Sequence, residues 1–424
     1  MTLHRAIAKT AAETTLAEQF ASLANPDSDR VAAFAAFADK GLPSRRDEAW
    51  HYTDLRSAMA SAAPLAPPPD ADRISAAREM LAARKRVGDL RLAIVDGRYV
   101  PQLSDPAPAG LLVGTLAKFA PSGRASAIVA LNDAFASNGL SLIVDAGVDL
   151  KERIEIVHCA HAEAPQSAYS RLSITLLAGA KARIVECFVA AGPAYQRNAV
   201  TRASLNASAM CSLVTIVEDD ASLHVETQIA DLGADAEFNA FALVAGCALA
   251  RRELMVRHEE AGAKIALAGL ALIDGRRHAD ATLEVVHAAP EGQSREFFRT
   301  IVADEGTGVF QGKVVVRPGA QKSDGAMKSQ AILLSPQAAM NNKPELEILA
   351  DDVVCGHGAT VGALDPEQVF YLQTRGLPRS EAEAMLLEAF AGEAIARVDE
   401  PEFAQILLSM TRAWLAGRAG AAPA

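Results

Sequence analysis

Residues 345–360 read ELEILADDVVCGHGAT, and the word CGHG inside them sets a thiol and an imidazole two positions apart. On an extended strand, side chains two apart project from one face, so Val353, Cys355 and His357 stand together while Gly356 points away. Thiolate and imidazole both coordinate iron and zinc. Two ligands are nevertheless too few for a tetrahedral ion or a cluster, so any metal here needs ligands from elsewhere. Gly356 and Gly358 leave room for a second backbone or an inorganic sulfide to come close. The plain alternative is a buried free cysteine beside a histidine at a turn.

No other pair offers comparable chemistry. His158 and Cys159 are adjacent and face opposite sides of a strand, and the odd separation of His278 and His287 does the same. Cys187, Cys211 and Cys247 sit in alternating or small-residue runs and read as core. Asp351 and Asp352 resemble the carboxylates of a carbohydrate-active β-helix enzyme, a lyase or hydrolase, but as neighbours on a strand they would diverge. There is no GxxxxGK[ST] to cradle ATP and no GxSxG nucleophile turn.

Composition narrows the class. Half of the 424 residues are hydrophobic and only 5% aromatic, which suits a tightly layered interior of small side chains and leaves few platforms for stacking sugars. A net charge of −11 opposes the positive field that nucleic acid binding needs. Five cysteines at irregular spacing make no disulfide framework and fit a reducing cytoplasm. The opening MTLHRAIAKTAAETTLAEQF carries Glu13 and Glu18 where a signal peptide would be apolar, and reads instead as an amphipathic helix. The longest apolar run, FALVAGCALA, is about half of the roughly 20 residues that span a bilayer, so no membrane segment is expected.

The elements that would position CGHG fall into three regions. Residues 1–138 are a mixed, largely helical region, with short strands at RLAIVDGRYV. Residues 139–362 alternate apolar with polar side chains in short Val-, Ile- and Thr-rich runs such as RIEIVHC and ARIVECFVA. Small or polar blocks such as LLAGAKARIVE, LNASAMCSLVT, DLGADAEFNAF and EEAGAKIALAG precede fresh strands, about 25 to 30 residues apart at first, which is solenoid spacing. A β-sandwich is the competing architecture, but so long a run of strands without helices favours stacked coils. Residues 363–424 are helical: Asp365 caps a helix with Pro366 in its first turn, and Ser380 and Glu383 have capping-box spacing. Ala384, Leu387 and Phe390 form an apolar stripe, and the tail GRAGAAPA is expected to be disordered.

Several long words resemble the SufB/SufD family of iron–sulfur cluster assembly proteins: GVFQGKVVVRPGAQKSDG, LLSPQAAMNNKPELEILADDVVCGHGATVGALDPEQVFYLQTRGL, EAFAGEAI and, near the start, GLPSRRDEAWHYTDLR. SufB members show Glu-His-Glu where this chain has Cys355, Gly356 and His357, so the resemblance is to the SufD side. It implies a right-handed parallel β-helix flanked by helical regions, working as a non-catalytic scaffold of the SUF system. The implied partners are SufB, paired edge to edge, and the ATPase SufC, docked on the carboxyl-terminal helices that carry Ala384, Leu387 and Phe390; a homodimer is the form expected in isolation. Cys355 and His357 fall on the family's Cys and His in this word, which implies that they face a nascent iron–sulfur cluster or iron, held transiently and shared with SufB.

Overall fold

The computed structural model describes residues 8–116, 126–161, 163–192, 195–218 and 222–421. Four helices open the chain: α1 (Ala11–Ala21), α2 (Ser28–Lys40), α3 (Leu55–Ala58) and α4 (Ala71–Ala83). A capping box starts α1, in which the Glu13 N–H donates to Thr10 Oγ1 and the Thr10 N–H to Glu13 Oε2. Next come β1 (Leu90–Val95), β2 (Arg98–Tyr99), β3 (Leu111–Leu116), α5 (Ala127–Phe135) and β4 (Gly139–Val144).

From there the chain winds as a parallel β-solenoid of two sheets, the expected β-helix. One sheet holds β5 (Asp149–His161), β7 (Lys181–Ala191), β9 (Met210–Val217), β11 (Glu237–Val244), β13 (Lys264–Ile273), β15 (Gln293–Val302), β17 (Asp324–Leu333) and β19 (Val354–Gly362). The intervening strands, from β6 (Gln166–Leu176) to β16 (Thr307–Val316) and β18 (Ala339–Ile348), form the other with β4 and β3. The small-residue blocks are one corner of each coil. Gly147, Gly179, Ser208, Asp235, Gly262, Glu291 and Lys322 all have positive φ there, about thirty residues apart. The corners stack through hydrogen bonds: Gly179 N–H donates to Ala207 O, Ser208 N–H to Ala234 O, and Asp235 N–H to Ala261 O.

Alternation sends one face of each strand into the lumen, where Leu142, Ile156, Ile184, Leu213, Leu254, Leu267 and Phe298 meet. The outer face of the β5–β19 sheet is covered by α4 and by the carboxyl-terminal helices α7 (Arg379–Ile395) and α8 (Pro401–Ala421), through Leu387, Ala391, Phe403 and Leu407. The opposite sheet carries the amino-terminal helices. Arg251 lies 3.8 Å over the Trp50 ring and pairs with Asp280.

Three local features differ from the sequence reading. The run RLAIV, read as a short strand of the amino-terminal region, belongs to the large sheet: β1 pairs in parallel with β5, Leu90 opposite Ile154. No capping box forms at Ser380, because α7 starts at Arg379 after Pro378 and Ser380 already lies inside its first turn; Glu383 instead pairs with Arg379 at 2.7 Å. Helix α8 continues to Ala421, so residues 417–421 of the expected disordered tail are helical, while 422–424 lie outside the described residues. The short α6 (Pro366–Thr374) does begin as read, with Asp365 accepting from the Glu367 N–H at 2.9 Å. Among the described residues no helix is long and apolar enough to cross a membrane.

Candidate functional site

The two ends of the solenoid differ. At the first end the edge strands are β2, only two residues long, and β3, and each meets its neighbour antiparallel. At the far end β19 and β18 are left as edges with one side of each backbone unpaired, and among the described residues no strand or helix closes the end of the last coil. Ile348, Leu349, Val354 and Val361 are exposed there, Val354 by 73%.

Cys355 and His357 sit on this last coil, on one face of β19 as their spacing requires. Register places Cys355 opposite Gly325 and His357 opposite Met327, both inward-facing positions of β17. Cys355 therefore packs half-buried against the lumen core, and His357 projects exposed because no further coil lies above it. Burial pushes the Cys355 thiol pKa up, with the Gly325 backbone offsetting part of that. The flanking glycines are open as expected: a side chain at Gly356 or Gly358 would meet nothing within 4 Å. On the outer side of β19 a groove of about 900 Å³ runs toward the end of α7, edged by Arg295, Phe297, Lys328 and Arg397.

Beneath this pair lie residues that sequence reasoning passed over. Ser294 and Glu296 of β15 are 0% and 1% exposed and face the lumen, and neither Ser294 Oγ nor either carboxylate oxygen meets a partner at full hydrogen-bond geometry, the Ser294 hydroxyl lying only near enough to the carboxylate to draw its pKa down. Burial raises the Glu296 pKa to about 7, the Ser294 hydroxyl and Arg295 drawing it only partly back. A signal existed in QSREFFRTIV, where the alternation that points Phe298 inward also points Glu296 and Ser294 inward.

The apolar stripe of α7 serves the interior. Leu387 is buried against the sheet, Phe390 lies under Arg299 with 4.8 Å from guanidinium to ring centroid, and Ala384 is half-buried. That face is consumed by packing on β13 and β15, so the stripe is not an open docking surface. The exposed apolar side chains of this region are instead Phe370, Tyr371 and Met385.

The remaining candidates are structural. His158 bonds to Glu186 at 2.8 Å, His278 to Thr53 at 2.8 Å, and His287 packs edge-on against His258 with centroids 4.9 Å apart. Cys159, Cys187 and Cys211 are buried, with pKa values raised to about 12 by desolvation, and Cys247 is buried too. Asp351 and Asp352 lie exposed in the turn before β19 rather than on a strand. Among the described residues no three His, Cys, Asp or Glu side chains are arranged to hold a metal, and Cys355 and His357 by themselves are two ligands only.

Comparison with known proteins agrees with the resemblance read from the sequence. Residues 158–390 match the family model described as SUF system FeS cluster assembly, SufBD core domain. The chain is 30% identical over 368 residues to the iron-sulfur cluster assembly protein SufD of Escherichia coli, covering 83% of this chain and 84% of the relative. It is 26% identical over 383 residues to an iron-sulfur cluster assembly SufBD family protein of Synechocystis, covering 84% of each. SufD of Bacillus subtilis matches at 30% over 121 residues, 28% of each chain. These names denote assembly proteins and none names a catalysed reaction. With the core domain matched over more than half of its length, the chain belongs to the SufB/SufD family, and its role lies in iron–sulfur cluster assembly.

Proposed function

We propose that this chain is a non-catalytic scaffold subunit that pairs the open end of its solenoid with SufB and presents Cys355 and His357 to a nascent cluster at the junction. The observation that carries this reading is the uncovered last coil: an unpaired strand edge, exposed Val354 and Val361, and a thiol and an imidazole on the same strand. Exposed edges are normally short, charged or covered; β18 carries Lys343, Pro344, Glu345 and Glu347, but β19 runs Val354–Gly362 without a Lys, Arg, Asp or Glu, which favours a second β-structure as the complement of β19. The chain supplies two ligands and SufB the remainder, so iron or the cluster is cargo held between subunits. The ATPase SufC docks on the carboxyl-terminal helices through Phe370, Tyr371 and Met385, the apolar side chains of this region that the chain's own packing leaves exposed. Without SufB, the same edge pairs with a second copy of this chain.

Co-expression with SufB and SufC separates the two surfaces. Lysine at both Val354 and Val361 charges the edge and should abolish recovery of SufB while SufC still co-purifies; serine at Phe370 and Tyr371 should do the reverse. Recovery of SufB at parental stoichiometry with the charged edge would rule out pairing at this end.

A further inference from the structure

The lumen changes character just below the open end. Two neighbouring inward columns of the β5–β19 sheet hold apolar side chains down to Ile265 and Leu267 on β13. On β15 the same positions become Ser294 and Glu296. A core alone would continue the apolar columns, because a buried unpartnered polar group loses its hydration without compensation, and a charge loses more. The next residues along the columns are Gly325 and Met327, and the last are Cys355 and His357.

Gly325 makes the arrangement usable. A β-carbon there would lie 3.4 Å from Ser294 Oγ and 3.5 Å from Cys355 Sγ, so the hydroxyl and the thiol face each other across the space left by the missing side chain. Met327 does not block it, because its sulfur crosses the lumen to Gly312 on the opposite sheet, 2.4 Å from where a β-carbon would sit there. Arg295, the nearest cation in sequence, is engaged by Asp324 on the outer face at 2.6 Å.

We propose that Ser294, Glu296 and Cys355 bound an inner site for a divalent first-row metal ion, which enters past Cys355 through the gap at Gly325 and is held chiefly by the Glu296 carboxylate. Carboxylate and hydroxyl oxygens suit Mn²⁺, Fe²⁺ and Co²⁺, and a single sulfur is too little for a thiolate-type zinc or copper(I) centre. No three His, Cys, Asp or Glu side chains stand together there among the described residues, which fits a holding place better than a resident cofactor site. Its use in assembly rests on the scaffold reading above, whereas ion binding is a property of this chain alone.

Cobalt is the probe. Anaerobic optical titration of the full chain should show one Co²⁺ bound per chain, with a sulfur-to-cobalt charge-transfer band that Cys355→Ser removes. Glu296→Gln should weaken binding at least tenfold. Gly325→Ala should abolish it: the added methyl meets its neighbours at ordinary contact distances, so the fold, checked by circular dichroism, survives while the gap is filled. Asp351→Asn, at an exposed carboxylate in the turn before β19, should bind as the parent does. The inference is overturned if the parent binds no cobalt, if Glu296→Gln and Gly325→Ala both bind it as tightly as the parent, or if Asp351→Asn alone loses it. Cluster building is not the readout, so this inference can fail while the scaffold reading stands.

Discussion

The middle and the end of one lumen treat buried charge in opposite ways. In the middle coils Glu226 accepts from Arg252 at 2.9 and 3.2 Å and from Gln228 at 2.6 Å, with His224 at 3.4 Å, and all four are buried. Burial would raise the Glu226 pKa, but the Arg252 guanidinium and the histidine beside it hold it well below the carboxylate range. One coil away, Glu186 takes His158 at 2.8 Å and the Thr201 hydroxyl. Near the open end Glu296 is as deeply buried and has no partner at full hydrogen-bond geometry, and both nitrogens of His287 are likewise without one. Paired charge fixes how the coils stack, while unpaired polarity two strands below a Cys/His pair leaves donors free for something that arrives. Position in the stack, not composition, sets the difference.

The contrast breaks first in the middle. Arg252→Ala strands the Glu226 carboxylate in the lumen and should cost about 3–5 kcal/mol in denaturant unfolding; a loss under about 1 kcal/mol would mean the pair contributes nothing specific. At the end the sign reverses. A carboxyl whose folded pKa is raised from 4.5 to about 7 binds more protons folded than unfolded, so its stability contribution is present below the unfolded value and is lost as pH rises through 7. Metal-free Glu296→Gln should therefore exceed the parent by about 3 kcal/mol near pH 8, with the difference vanishing toward pH 4. Equal pH profiles for the two proteins would show that Glu296 is not buried unpaired.

Histidine works from the acid side. Burial, then the neighbouring His258, lowers the His287 pKa to about 4, so the unfolded chain takes up the proton first and stability falls as pH drops below the ordinary histidine value of 6.5. By about pH 5 this should cost the parent about 2 kcal/mol, a slope that His287→Gln removes. The smallest effect belongs to the candidate site itself. His357 is exposed, so His357→Ala should change the stability of the isolated chain by less than about 0.5 kcal/mol.

Local rules made part of this legible. The spacing of Cys355 and His357 gave their common face, and Asp365 followed by Pro366 gave the start of α6, because both depend on neighbours in the chain. The turn blocks gave the coils for the same reason, each corner needing a residue that accepts positive φ. The column Ser294–Gly325–Cys355 was not legible, because it depends on register across coils of unequal length. The direction of the Leu387 stripe was ambiguous too: periodicity shows that a helix has an apolar face but not whether the chain's own sheet or a partner covers it.

If the open coil is the edge at which clusters are built, chemistry there should be separable from folding and from partner binding. The measurement is anaerobic reconstitution of the complex of this chain with SufB and SufC, supplied with ferrous iron and a sulfur donor, comparing parent and His357→Ala for cluster formed per complex. The expected result is an intact complex whose cluster yield falls several-fold. A His357→Ala complex that builds clusters at the parental rate and yield would contradict the assignment of this end as the assembly site.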